Sequence, residues 1–246
     1  GGFDFQLITK LSFKLSYHFA KNVSMFSLSQ SKIFKKNFPK AKVNVINLAL
    51  KEFGKSEIDK PKEKIKFLSF GVINYSKNIE LLIRAACNIY EKGYRNFTVS
   101  INGRCENWDF YLEKIKYPQI FESDIRIIEN DEIADLFSSS HYFVQPYRHV
   151  SQSGAMKVAF YYNLPVIATD FPGFSDELIE GTNGYLFESE NLNQLENLLI
   201  KIIDNHTLEY DSLCKRMKMH TTEQYSPVKL AAKYLNMFNR IVDDAK

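Results

Sequence analysis

From residue 65 onward, apolar runs of strand length alternate with amphipathic stretches of helix length. Strand 65–72 leads to helix 78–92, and Gly93 stands where that helix must stop in a left-handed residue. The alternation continues with strand 97–102, helix 107–116, strand 125–129, helix 131–138, strand 141–145, helix 153–162, strand 165–169, a short helix at 175–180 and strand 184–187. Strands that alternate with helices form a mostly parallel sheet with helices on both faces, here of about six strands. Phe67-Leu-Ser-Phe70 and Pro165-Val-Ile-Ala168 are near-continuous apolar runs rather than alternating ones, as burial on both faces requires. The expected fold class is therefore α/β. Such sheets bind ligands beyond the carboxyl ends of their strands, so the loops there are where chemistry is expected.

The first 50 residues do not fit this rhythm. An amphipathic helix is expected at 5–21, a strand at 23–28, a helix at 31–37 capped by Ser29 or Ser31, and a strand at 43–50. Residues 51–64, rich in Lys, Glu and Asp and containing Pro61, read as a linker. Helices at 191–204, 208–219 and 227–243 close the chain. Residues 1–42 carry eight lysines against Asp4 alone, whereas the whole chain is only +3. An anionic partner and a solvated helix face both account for such an excess. The 5–21 helix likewise fits either the core of an N-terminal domain or the surface of an anionic membrane.

Twenty Phe and 14 Tyr supply ample core material, which excludes a disordered chain. No apolar run reaches the length of a membrane span, and no secretory leader is visible at Gly1-Gly2-Phe3-Asp4. Cys87, Cys105 and Cys214 are far apart and include no C-x-x-C pair, so neither a disulfide framework nor a structural metal is expected. The cytoplasm is the expected compartment, with or without contact to the cytoplasmic face of a membrane. No nucleic-acid partner is expected.

Three loops carry candidate chemistry. In Phe70-Gly-Val-Ile-Asn-Tyr-Ser-Lys77-Asn78, Gly71 permits close approach of a ligand to the backbone, and Lys77 stands at a helix start, where an ammonium and free N–H groups favour an anion. An exposed surface lysine is the plain alternative. The segment matches neither a P-loop nor a dinucleotide-binding fingerprint. In Gln145-Pro-Tyr-Arg-His-Val-Ser-Gln-Ser-Gly154, Ser151 or Ser153 caps the next helix. The N–H groups of residues 152–155 then point at an anion, and Arg148 adds a bidentate fork. An ordinary capped helix is the alternative. In the third loop, residues 165–178, Asp176 or Glu177 meets a sugar hydroxyl, or simply complements a helix dipole.

These motifs keep their order: Gly71 and Lys77, Asn102-Gly103, Asp131 to Phe137, Pro146-Tyr147-Arg148, Ser151-Gln-Ser-Gly154, Asn163 to Thr169, Gly173, and Gly181 to Gly184. Together, over residues 65–204, they resemble the C-terminal half of a family 4 glycosyltransferase. The resemblance implies a GT-B fold, in which two Rossmann-like domains face each other and the C-terminal one holds the donor nucleotide. It implies hexose transfer from a nucleoside diphosphate sugar to a saccharide or lipid-linked acceptor, commonly with retention of configuration, as in polysaccharide biosynthesis. No metal and no cofactor beyond the donor is implied. Lys77 matches the lysine at the donor pyrophosphate, and Arg148 is the second cation expected to stabilise the leaving group. Gly71 and Gly103 match loop glycines facing the donor. Residues 128–133, Ile133 included, match the place of the nucleobase. Ser151, Gln152, Ser153 and Gly154 match the loop around pyrophosphate or sugar, and Asp176 and Glu177 are the candidate sugar contacts.

Two departures stand out. Val72 and Asn74 occupy places where many members have arginine, and Val150 and Val158 replace the two glutamates of a Glu-x7-Glu pattern. A subgroup with a similar Ser-Gln-Ser-Gly loop also lacks those glutamates. The expected division is a remnant of an N-terminal acceptor domain at 1–50, a linker at 51–64, a donor-binding domain at 65–226 and a helix at 227–246 that crosses back to the N-terminal side. A chain so divided is expected to bind donor weakly and not to turn over alone. A non-catalytic binding module that needs a partner chain is the alternative.

Overall fold

The structure, a computed structural model, describes residue 15 and residues 22–243. The helix expected at 5–21 lies outside the described residues. The described chain divides into two compact units. No described helix is long and apolar enough to cross a membrane.

The first unit comprises the described residues up to Asn47 and those from Pro227 onward. Strand β1 (Asn22–Met25) pairs in parallel with β2 (Lys42–Val45), and helix α1 (Leu28–Asn37) connects them. Both strands are shorter than expected, and α1 begins earlier. Its cap is Ser27, whose hydroxyl accepts from Gln30 N, whereas Ser29 and Ser31 lie inside the helix. The unit also holds the last helix, Pro227–Asp243, with Leu230 and Met237 packed with Ile46. Arg240 of that helix donates to the Asn44 side chain at 3.1 Å.

The second unit, Leu48–Ser226, holds the sheet. Strands β3 (Ile65–Phe70), β4 (Phe97–Asn102), β5 (Phe121–Asp124), β6 (Tyr142–Gln145), β7 (Val166–Thr169) and β8 (Gly184–Phe187) are all parallel, in the order β5-β4-β3-β6-β7-β8. This is the expected six-stranded α/β sheet. Phe67, Leu68, Phe97, Phe143, Val144 and Ile167 are fully buried because helices cover both faces. On one side lies α2 (Ile79–Glu91), with short α3 (Asp109–Leu112) beside it; α4 (Asn130–Ser138) and α5 (Gly154–Tyr161) contribute to the other core. Helix α6 (Pro172–Ser175) is one turn, and α7 runs over Leu192–Gln224.

The differences from the expected elements have physical reasons. Strand β5 takes Phe121–Asp124 rather than 125–129, because its register is set by pairing Val99 with Phe121 on a single neighbour. The apolar residues Ile125 and Ile128 instead pack against the two cores. The helix expected at 107–116 shrinks to α3, and the turn expected at 175–180 forms earlier because Pro172 supplies a ready first-turn residue. The helices expected at 191–204 and 208–219 are one, since Asn205-His206-Thr207 contains poor helix formers but no Gly or Pro to break the run.

Residues 48–64 form no helix or strand, yet they are fastened to the sheet unit. Phe53 N donates to the Tyr162 hydroxyl at 2.9 Å, which in turn donates to Gly54 O at 2.8 Å. Lys60 Nζ donates to Ser138 O at 2.9 Å, at the end of α4.

Candidate functional site

The strand order reverses between β3 and β6: successive connections run outward in opposite directions from this pair. The crevice at the carboxyl ends of such a pair is where parallel α/β sheets place ligands, because the loops part there. The segments that follow β3 and β6 are the first two candidate loops.

After β3 the chain bends at Gly71, whose φ is 119°. Its N–H donates to Asn102 O at 3.0 Å, which brings the end of β4 alongside. Gly103 has φ 138°, and a Cβ there would stand 2.1 Å from Gly71 O. Gly103 is thus a glycine because two strand ends pack backbone to backbone. Gly154 differs: it is exposed, and a Cβ there meets nothing within 4 Å. Gly154→Ala is expected to change the unfolding free energy by less than about 1 kcal/mol, and an unfolding titration reads this directly. Any loss of ligand binding in that variant then reports on the open space over residue 154.

Lys77 does not begin the long helix. It ends a short 3-10 turn, Tyr75–Lys77, whose cap is the Asn74 side chain accepting from Ser76 N at 3.1 Å. Asn78, in the left-handed region at φ 51°, then starts α2. The turn aims Lys77 across the crevice, and its ammonium sits 3.7 Å from the centre of the Tyr147 ring. Burial lowers its pKa, to about 8, with no carboxylate among the described residues near enough to oppose the shift. Lys77 therefore presents a desolvated positive charge that an aromatic face supports only in part.

Tyr147 belongs to the loop after β6. Gln145, fully buried at the end of that strand, donates its amide N–H bonds to the Tyr147 hydroxyl at 2.7 Å and to Ser153 Oγ at 2.8 Å. Ser153 caps α5 by accepting from Met156 N at 3.2 Å; Ser151, exposed in the loop, is not the cap. Lys77, Tyr147, Gln145 and Ser153 form one connected side-chain cluster. Gly173, in α6, packs against the backbone of the same loop, since a Cβ there would lie 2.8 Å from Ser151 O.

Arg148 is differently placed from the free fork expected of it. Its guanidinium pairs with Glu80 at 2.7 Å and Glu190 at 2.5 Å, and it donates to Tyr75 O at 2.7 Å. Its backbone N–H donates to Ser76 O at 2.9 Å. Arg148 fastens the turn that carries Lys77. Ile133 is core, 4% exposed and clustered with Phe137 and Phe143, which leaves only its backbone for a ligand. The Glu177 carboxylate is buried and bonded to Lys157 and Tyr225, so it does not reach toward a sugar. Asp176 is exposed at the end of α6.

The segments around the crevice also hold polar atoms without partners. Gln145 Oε1, both amide atoms of Gln152, Asn78 Nδ2 and Glu80 Oε2 are buried without a hydrogen bond. All five belong to the segments that follow or end β3 and β6, and leaving such groups unpaired costs about 1–3 kcal/mol each. Of these residues only Gln152 is marked by its motif. Gln145 and Tyr147 are signalled by a polar residue that ends a wholly apolar strand and a tyrosine just past Pro146. Nothing in the sequence singles out Asn78 or Glu80 before the turn geometry is known. Among the described residues, no group of His, Cys, Asp and Glu is arranged to hold a metal ion.

Residues 51–224 match the family model described as "Glycosyl transferases group 1". The chain is 33% identical over 78 residues to the poly(ribitol-phosphate) alpha-N-acetylglucosaminyltransferase of Staphylococcus aureus (strain COL), covering 30% of this chain and 15% of the relative. It is 22% identical over 189 residues to an uncharacterized glycosyltransferase of Methanocaldococcus jannaschii, covering 77% of this chain and 41% of the relative. It superposes on a point mutant of S. aureus TarM, crystallised in complex with fondaparinux, alpha-GlcNAc-glycerol and UDP, with a TM-score of 0.76 and 21% identity, covering 89% of this chain and 44% of that one. The chain thus spans less than half the length of these relatives. The likeness in structure is one of fold, that of the GT-B glycosyltransferases.

Proposed function

Since this chain belongs to the group 1 glycosyl transferases, we propose that its crevice binds a nucleoside diphosphate sugar and serves hexose transfer to a saccharide or lipid-linked acceptor, with retention, in the manner of family 4. One observation carries this reading. The Lys77 ammonium, without a carboxylate partner among the described residues, shares a cluster with the capped N-terminus of α5, beside the unpaired amide nitrogens of Asn78 and Gln152. A diphosphate suits that arrangement, because its charge meets a cation and free N–H groups while its oxygens accept from the unpaired amide N–H groups of Asn78 and Gln152.

In the proposed transfer, the bond from the anomeric carbon to the diphosphate oxygen breaks and its electron pair stays on the diphosphate. A bond from the acceptor oxygen to the anomeric carbon forms, and the acceptor proton passes to the departing diphosphate. Charge therefore grows on the leaving diphosphate. Lys77 and the N–H groups of residues 152–154 stabilise it where it develops. Arg148 acts as a positioning residue that holds Tyr75 to Lys77 in place. No protein nucleophile and no metal enters the proposal. The S. aureus structure was crystallised with UDP, which makes UDP the first donor nucleotide to try here.

A thermal-shift and calorimetric series with UDP, GDP and ADP tests the proposal. One nucleotide is expected to bind. At a hundredfold excess over Kd it adds about 2.7 kcal/mol to the stability of the unit that holds it. Failure of all three, and of their sugar conjugates, to bind or to shift the transition defeats the reading.

A further inference from the structure

A second cavity, of about 400 Å3, opens beside the crevice between the loops after β3 and β4. That volume lies within the range of small-molecule sites, about 300–1,000 Å3. Glu80 and Tyr111, both largely buried, form its inner part. Tyr75 and Phe110, exposed at 71% and 44%, stand at its rim with Asn107 and Arg104.

The cavity is held in shape without a ligand. Ile73 N donates to Arg104 O at 2.8 Å and joins the two loops. The Arg148 guanidinium lies 4.2 Å from the Tyr75 ring centre. Phe110 meets Tyr111 edge to face at 5.1 Å and carries the Lys114 ammonium on its ring. Such rings need little further ordering when something stacks on them.

The charges at the cavity are paired: Arg148 with Glu80 and Arg104 with Glu106. Glu80 and Glu106 line the cavity against one cation, Arg104, which pairs with Glu106 at 3.2 Å. Glu80 gives one oxygen to Arg148, and its other oxygen, Oε2, is buried with no hydrogen bond. The cavity wall thus holds a carboxylate with one unpaired oxygen, among aromatic rings and amide side chains. A sugar ring answers both features, with its C–H face on an aromatic ring and a hydroxyl donated to the carboxylate.

We propose that this cavity is a saccharide subsite that holds one neutral sugar ring of the acceptor beside the donor. The proposal rests on the donor reading above for its adjacency, since Tyr75 lines the cavity and Lys77 ends the same short turn. Its chemistry suits a neutral ring of either substrate, and the test separates the two.

Trp108 is the only tryptophan of the chain and stacks near Tyr111, with centroids 5.8 Å apart. Its fluorescence is followed while the full chain is titrated with the methyl α-glycosides of glucose, galactose and N-acetylglucosamine, with and without saturating UDP. At least one glycoside is expected to give a saturable change. Phe110→Ala, at a half-exposed ring, is expected to weaken it about tenfold, and Asn107→Ala is the second variant. UDP affinity, read by calorimetry, is expected to be unchanged in both. No saturable response to any glycoside, or a response indifferent to both substitutions, overturns the subsite. A response that persists under a saturating nucleotide sugar supports the acceptor assignment. One abolished by the nucleotide sugar but not by UDP overturns that assignment in favour of the donor's own hexose. Glycoside binding with no nucleotide binding at all removes the donor reading and leaves the subsite standing.

Discussion

Lys77→Met is expected to weaken binding of a nucleoside diphosphate sugar by about 1–3 kcal/mol, roughly 5- to 150-fold, the range for a charge-assisted hydrogen bond lost from a desolvated site. Methionine keeps the length and the apolar stem that lies over Tyr147, so the loss isolates the charge. Calorimetry on both proteins gives the number. The effect carries a pH signature. Burial lowers the Lys77 ammonium to about 8 in the empty site. Anion binding favours the protonated form, so the bound value lies above that of the empty site. Affinity is therefore level below about 8 and falls as pH rises through that value toward the bound one. Each phosphate of a nucleotide sugar carries one ester and one anhydride bond, keeps a single strongly acidic proton and does not titrate in this window. In Lys77→Met the slope is expected to vanish. A wild-type affinity that stays flat across the window, or a variant that binds as well as the parent, removes Lys77 from the site.

That lysine was legible because of where it stands, between an apolar strand and the helix after it, at the end of a parallel sheet where ligands collect. Its surroundings were not legible in the same way. The ring beneath it, Tyr147, comes from the loop after β6, and the contact exists only because β3 and β6 are neighbours. Arg148 shows the other side of this dependence. From its loop it reads as a free fork, yet the fold sets Glu80 at its guanidinium. Glu80 lies in the first turn of α2, where an acidic residue is already accounted for by the helix dipole.

The sheet follows the same logic. Strands β3, β6 and β7 are buried on both faces, so their apolar runs stand out. Strand β5 is an edge, with Glu122 and Ser123 exposed, and its position depends on pairing with β4 rather than on its own pattern. Gly71 and Gly103 were legible as loop glycines, but a ligand and a neighbouring backbone place the same demand on a glycine. Only the 2.1 Å approach to Gly71 O decides for the neighbouring backbone at Gly103.

Glu177→Leu is expected to cost the sheet unit about 3–5 kcal/mol, the price of stranding a buried charge. Lys157 and Glu177 are each about 2% exposed in their side chains, and both bond to the Tyr225 hydroxyl. Lys157 lies in α5, Glu177 just past α6 and Tyr225 just past α7. Removing the carboxylate leaves an ammonium among Phe160 and the Tyr225 ring with its main partner gone. Urea unfolding followed by Trp108, which lies in this unit, measures the loss. The double variant Lys157→Met/Glu177→Leu is expected to recover most of it, because an apolar pair of similar volume no longer holds an uncompensated charge. The pH dependence separates this account from simple loss of packing. Burial lowers the Lys157 ammonium to about 7, below its unfolded value of 10.5, so protonation opposes folding. That value holds with Glu177 present, and removing the carboxylate lowers it further, so the deficit is greatest in acid and shrinks as pH rises toward about 7, above which folded Lys157 is neutral in both proteins. A deficit independent of pH, or a double variant no more stable than Glu177→Leu, means that the carboxylate acts through its shape and not through its charge.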